Sequence, residues 1–176
     1  MAKMVGLSRN LKMQWLNKTD ELAMEGVSEK EIHDQLNEHL TFEISSPTNL
    51  RKTREILMYI WVYENEIGSK LKNEAISIIK DLPEYALEVH WCMMMAAYPV
   101  FDDMCKLIGK MSEFQDEIAL SQIKQKLYDE WGERTTLLHS VDKLISTLKE
   151  LNVIHCDKPG RYQIKKHTVR NSRVSA

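Results

Sequence analysis

Glycine and proline are scarce in this 176-residue chain, at six and four residues. Alternating runs rich in Val, Thr and Tyr are scarce as well. Their absence excludes an ordinary all-β sandwich or barrel and points to a mostly helical chain. The cysteines, Cys92, Cys105 and Cys156, are odd in number and widely spaced, with no C-x-x-C pair. That excludes a disulfide framework and suits a reducing cytoplasm. A zinc site built from His155 and Cys156, or from His90 and Cys92, lacks a second ligand pair at metal spacing. Small apolar core cysteines are the simpler reading. The longest uncharged apolar run, Trp91–Phe101, is broken by Pro99. It falls well short of the roughly 20 residues a membrane-spanning helix needs. Met1–Asn10 has two basic residues but no apolar stretch behind them, so no signal peptide is expected. Catalytic signatures are missing too: there is no glycine-rich phosphate loop, no G-x-S-x-G and no H-E-x-x-H. Asp102-Asp103 lacks the partners of a metal site and reads as helping to cap a helix after Pro99. Neither a cofactor, a metal nor an enzymatic activity is expected.

What is present is an ample core and an uneven charge. Hydrophobic residues make up 43%, and 24 Lys and Arg stand against 26 Asp and Glu. The small net charge argues against disorder, and at first against a nucleic-acid binder, which ordinarily shows a basic excess. Divided by segment, the balance changes. Residues 1–60 carry 8 basic and 9 acidic groups, residues 61–120 carry 5 and 11, and residues 121–176 carry 11 and 6. From Gln163 onward Lys165, Lys166, Arg170 and Arg173 meet no acid. An acidic middle therefore masks a basic C-terminal third, an asymmetry that hints at nucleic-acid contact. For the tail itself, a frayed solvated end is an equal alternative.

Leu11, Trp15, Leu16, Leu22 and Ala23 make a helical stripe through residues 8–25, closed by Gly26. Ser28 and Glu31 form a capping-box pattern opening a short helix with Ile32, Leu36 and Leu40 inward. Ser46-Pro47 is a second start signal, with Ser at the N-cap and Pro at the first helical position, for a helix running to about Val62. This order is that of a three-helix helix-turn-helix unit, with a connection, Thr41–Ser45, longer than the usual tight turn. Residues 66–116 read as helices punctuated by Pro83 and Pro99. Met93–Met95 reads as core filling rather than a binding groove. Ser121–Trp131 reads as a helix ended by Gly132, and Leu137–Leu151 as the next. Val153–His155 and Tyr162–Lys165 then flank a Pro159-Gly160 turn. Helix, turn, helix and β-hairpin is the winged-helix order.

Two helices are candidates for reading DNA. On a helical wheel, Leu137, Leu138, Val141, Leu144, Ile145, Leu148 and Leu151 share one continuous arc. Thr135, His139, Asp142, Lys143 and Ser146 share the opposite one, with Thr136, Ser140 and Thr147 beside them. Small donors and one cation suit close approach to a major groove, whose base edges offer acceptors. Arg134 stands just before the helix, where a recognition helix meets DNA. Lys158 and Arg161 of the hairpin add to it. The alternative is an ordinary solvated face, though such faces tend to carry more Glu and Lys. In the earlier helix Thr48, Arg51 and Lys52 fall on the polar side. Arg54 falls on the apolar flank, where it is either a further contact or a structural arginine paired with a carboxylate.

Several strings carry a resemblance: Leu7-Ser-Arg-Asn-Leu-Lys12, the Trp15-Leu16 pair, Ile44-Ser-Ser-Pro-Thr-Asn-Leu-Arg-Lys-Thr-Arg-Glu-Ile-Leu57, Ile60-Trp61, and Tyr128-Asp-Glu-Trp-Gly-Glu-Arg-Thr-Thr136. Together they resemble the BrxA family, small core proteins of BREX (bacteriophage exclusion) phage-defence systems. The likeness spans nearly the whole chain, and the Ser-Ser-Pro-Thr-Asn-Leu-Arg stretch is its most specific part. It implies an all-helical protein with two helix-turn-helix elements, binding DNA inside a defence complex whose separate methyltransferase subunit marks host DNA. The family has also been labelled an inner-membrane protein, which the run length contradicts, and has been likened to NusB-type RNA-binding antitermination factors.

The expected fold is therefore all-α. It is a compact helical globule with two helix-turn-helix elements, the second winged-helix-like with a short β-hairpin. Expected divisions are 1–65, 66–116, 117–166 and a basic tail at 167–176, together one globule. The expected function is non-enzymatic binding of double-stranded DNA in phage defence, in the cytoplasm, with other BREX subunits as partners and a monomer in isolation. Thr135, Thr136, His139 and Lys143 would line the reading face. Arg134, Lys158, Arg161 and Lys165 would hold phosphates, and Thr48, Arg51, Lys52 and Arg54 would make a second contact. The alternatives are RNA binding of the NusB type and a protein–protein adaptor using the acidic middle and the Met-rich helix.

Overall fold

The computed structural model describes residues 5–175. Helix α1 spans Met13–Met24, α2 Glu29–Thr41, α3 Pro47–Trp61, α4 Gly68–Asp81, α5 Ala86–Ala97, α6 Pro99–Ser112, α7 Leu120–Trp131, α8 Thr135–Glu150 and α9 Ser172–Ser175. A single 3-10 turn, Pro83–Tyr85, leads into α5. The strands are β1 Ile118–Ala119, β2 Ile154–Lys158 and β3 Arg161–Ile164. The protein is thus mostly helical, with one small antiparallel sheet. Among the described residues no helix is long and apolar enough to cross a membrane.

The chain forms two units, divided at 97/98 rather than near 65 and 116 as the sequence suggested. One holds residues 11–97 and 169–175 of those described, the other residues 5–10 and 98–168. Neither unit is one continuous stretch of chain.

In the first unit, α1, α2 and α3 pack on one another, and α1, α3 and α4 pack on α5. The signals that shape it are local. Ser28 Oγ accepts from Glu31 N at 3.3 Å while the Glu31 carboxylate accepts from Ser28 N at 2.9 Å, closing the capping box of α2. The Ser28 hydroxyl, donating to the Glu31 carboxylate at 2.6 Å, and then the Ser28 N–H hold that carboxyl below its ordinary range. Ser46 caps α3 through Asn49 N, with Pro47 at the first helical position. Gly26 ends the α1 turn at φ +67, a conformation costly for any residue with a Cβ. The core holds Trp15, Leu16, Leu36, Leu57, Ile60 and Trp61, with Met93 and Met94 filling between helices. The first helix begins five residues later than its stripe suggested, with Lys12 at the N-cap.

In the second unit the order is α6, β1, α7, α8, β2, β3. The sheet order is β1-β3-β2, with Ile118 opposite Tyr162 and Ile154 opposite Ile164. With this three-stranded antiparallel sheet, the unit uses two elements beyond the expected helix-turn-helix and hairpin, namely α6 and β1. The hairpin strands run further than expected. Lys158 faces Arg161, leaving only Pro159-Gly160 as the turn, with Gly160 at φ +72 as a type II turn requires. A register irregularity between His155 and Lys158 accompanies it. Such an irregularity accommodates a turn whose twist does not match the strands. The core is Phe101, Met104, Ile123, Leu127, Leu137, Val141 and Leu144, each contributing about 1.5–3 kcal/mol by leaving water. Asp103 bonds across to α7. It accepts from the Trp131 indole N–H at 2.9 Å and ties α6 to the end of α7.

Candidate nucleic-acid interface

In the second unit, Gly132 (φ +80) breaks α7 and a three-residue turn leads into α8. The helix starts two residues earlier than expected, so Thr135 and Thr136 lie in its first turn rather than in the preceding loop. Leu137, Val141, Leu144, Ile145 and Leu148 are buried, while Thr135, Thr136, His139, Asp142, Lys143, Ser146 and Lys149 are exposed. These exposed positions recur at three- and four-residue steps and make one stripe. The polar face is narrower than the wheel suggested. Ser140 is buried and donates to the Gly6 carbonyl at 3.1 Å. Thr147 is buried and bonds back to the Lys143 carbonyl at 3.0 Å.

The phosphate candidates divide in two. Lys158 is exposed near the hairpin tip. Lys165 is exposed too, with its ammonium donating to Asn152 Oδ1. Arg161 is half exposed, its Nε 3.8 Å from Glu117 Oε1, a separation too long to fix it in place. Arg134 differs from expectation. Its Nη2 donates to the Trp131 carbonyl at 3.2 Å and its guanidinium lies 5.9 Å from the centre of the Trp131 ring. It is folded back as the residue preceding α8, so it braces the turn rather than reaching outward.

Sequence reading missed one pair in this surface. Lys124 Nζ of α7 stands 2.7 Å from Asp142 Oδ1 of α8. No spacing rule reveals it, because the two residues come from different helices.

In the first unit, Thr48, Arg51 and Lys52 are exposed along the first two turns of α3. Glu43, in the connection before α3, accepts from Lys12 Nζ at 2.5 Å, from Trp15 Nε1 at 2.8 Å and from Gln14 Nε2. These donors hold its carboxyl below the usual range and pin the connection to the start of α1. Arg54 is a correction to the candidate set. Its side chain is only 12% exposed, with Nη1 2.6 Å from Asn37 Oδ1 and Nη2 3.1 Å from Glu55 Oε1. It joins α2 to α3 and is not free to meet a phosphate.

Three further features lie outside both helix faces. A cleft of about 620 Å³ in the first unit is lined by Ile32, Trp61, Glu64, Ser69 and Lys72 among others. Lys72 is buried and donates to the Tyr63 carbonyl. Phe42 and Phe114 are 84% and 87% exposed. In the tail, Arg173 reaches Asp81 Oδ2 at 2.7 Å, Ser77 Oγ at 2.8 Å and Glu74 Oε1 at 3.5 Å. That part of the tail is neither frayed nor available to DNA. Among the described residues no group of three or more His, Cys, Asp or Glu is placed to hold a metal ion. Compared with known proteins, the chain matches no family model, no curated protein and no solved structure.

Proposed function

We propose that this chain is a non-enzymatic, double-stranded-DNA-binding component of a BREX-type phage-defence system, working beside a methyltransferase and other subunits. One observation carries the DNA reading. The exposed stripe of α8, with its Thr, His and Lys side chains, belongs to the same winged-helix unit as a wing bearing Lys158, Arg161 and Lys165. A helix with small donors enters a major groove, and cations beside it neutralise the flanking phosphates. The defence setting rests on the resemblance of the Ile44–Leu57 and Tyr128–Thr136 strings. Thr48, Arg51 and Lys52 supply a second, separate contact.

The test is a mobility-shift series against salt with duplex DNA, single strands and structured RNA. Log affinity for the duplex is expected to fall linearly with log salt, by about 0.9 per phosphate neutralised. Replacing Lys143 and Arg161 together by Ala is expected to remove binding at moderate salt. No shift at low salt, or a salt-insensitive one, overturns the proposal, and preference for unpaired RNA replaces it with the antitermination reading. The second reading is a protein–protein adaptor, for which the exposed Phe42 and Phe114 offer single positions to test. Loss of complex assembly in a Phe42→Ser, Phe114→Ser variant that still binds DNA supports that role.

A further inference from the structure

Asp142 is the one acid in α8 before its last residue, and it sits within the exposed stripe between Thr135, His139 and Ser146. A carboxylate there faces a polyanion if α8 enters a groove, and an unpaired one would oppose binding. It is paired: Lys124 Nζ meets Oδ1 at 2.7 Å, and the two side chains are 25% and 49% exposed. The pair removes most of the net charge from the centre of the stripe. It engages Oδ1 and leaves Oδ2 as a second acceptor. That acceptor is fixed in direction by a neighbouring helix. Of the rest of the stripe, Lys143 only donates, the Thr135 and Thr136 hydroxyls and the His139 ring donate or accept, and the Ser146 hydroxyl donates to the Asp142 carbonyl at 3.0 Å.

In the major groove, guanine offers N7 and O6 acceptors and thymine offers O4, and all three repel a carboxylate. Adenine offers its N6 amino group, but beside the N7 acceptor. Cytosine offers an N4 amino group alone. Resting on the duplex-DNA reading above, we propose that Asp142, oriented by Lys124, reads a cytosine through its N4 amino group. Lys124 acts as a positioning residue. It aims the carboxylate and masks its charge, without touching the base.

The experiment selects bound duplexes from a random library with the full chain and then titrates the winning site and its single-base variants. The wild type is expected to enrich a C·G pair at one position, with T·A there costing about tenfold in affinity. Asp142→Ala is expected to bind both variants alike, with equal or tighter overall affinity because a negative charge has gone. Asp142→Asn is expected to move the preference at that position towards adenine, whose N6 and N7 an amide meets in two bonds. Lys124→Met is expected to weaken binding to every sequence several-fold, because the carboxylate charge is no longer masked, and to narrow the cytosine preference, because the carboxylate is no longer aimed. Asp142 is exposed and Lys124 half-buried, and a thermal melt checks that each variant is folded. An unchanged preference in Asp142→Ala, or no enriched position in the wild type, overturns the assignment while leaving duplex binding intact. Failure of the wild type to bind any duplex at low salt overturns the underlying reading instead.

Discussion

His90 Nε2 lies 2.9 Å from Asn17 Oδ1, joining α5 to α1 inside the first unit. The amide oxygen only accepts, so Nε2 carries the proton and Nδ1 holds a lone pair without a partner. The Trp61 ring meets His90 edge-on, at 5.2 Å and 85°. The imidazole is fully buried, and burial alone pushes its pKa down from 6.5 to about 3. The folded protein therefore keeps His90 neutral, while the unfolded chain takes a proton below about pH 6.5. Stability from this site is present above pH 6.5 and is lost as pH falls towards 3. Between about pH 7.5 and pH 5, urea unfolding is expected to change less favourably for the wild type than for His90→Gln, which is neutral in both states; an identical change in the two proteins would place the acid sensitivity elsewhere.

Asp20 acts in the opposite direction. It is buried in α1 with Oδ1 lacking a hydrogen-bond partner, and desolvation, helped by neighbouring Glu21, raises its pKa to about 7. The protonated acid is the form the fold accommodates. Its contribution is full below about pH 4 and is lost as pH rises through 7. Asp20→Asn is expected to raise the melting temperature at pH 8 and leave it nearly unchanged at pH 4. A lower melting temperature at pH 8 would mean that the carboxylate has a role the fold depends on.

Gly6 stands at φ +61, and a Cβ built there would come 2.6 Å from Cε1 of the buried Tyr98 ring. Its carbonyl accepts from Ser140, and the adjoining Leu7 is completely buried. Gly6→Ala is expected to cost about 2–4 kcal/mol, from the backbone conformation and the overpacking combined. The fitting check is denaturant unfolding followed by Trp fluorescence.

Arg173 grips three side chains of α4 from an exposed position. Arg173→Ala is expected to speed proteolysis at residues 169–175 and leave the melting temperature almost unchanged, because exposed ion pairs contribute little to global stability. High salt is expected to mimic the substitution. Unchanged cleavage would show that other contacts hold the segment.

The legible parts of this fold are those written in adjacent residues. Ser28 with Glu31, Ser46 with Pro47, Gly26 and Gly132 each act within one turn, so their spacing alone locates helix ends. The periodic stripes of α7 and α8 reveal the buried faces for the same reason. The strand β1 was not legible, because two residues have no period to detect. Ser140 looked like surface because its partner, the Gly6 carbonyl, lies 134 residues away in sequence. Arg54 reads as either a contact or a structural arginine until α2 brings Asn37 beside it. The Asp142 carboxylate reads as one more solvated acid until α7 supplies Lys124. In each case composition names the group and the fold decides what it faces.

The exchange of chain ends between the units limits how this protein can be taken apart. A fragment ending at residue 97 would carry Val5 and Leu7 away from the unit that buries them, leaving two apolar side chains in water. The complementary fragment starting at residue 98 would lack that plug and would carry residues 169–175 without the α4 surface that holds Arg173. Dissecting α3 and α8 by truncation would therefore confuse lost binding with lost packing. Separate tests of each call for side-chain substitutions in the intact chain, or for a rearranged gene that returns each end to its own unit.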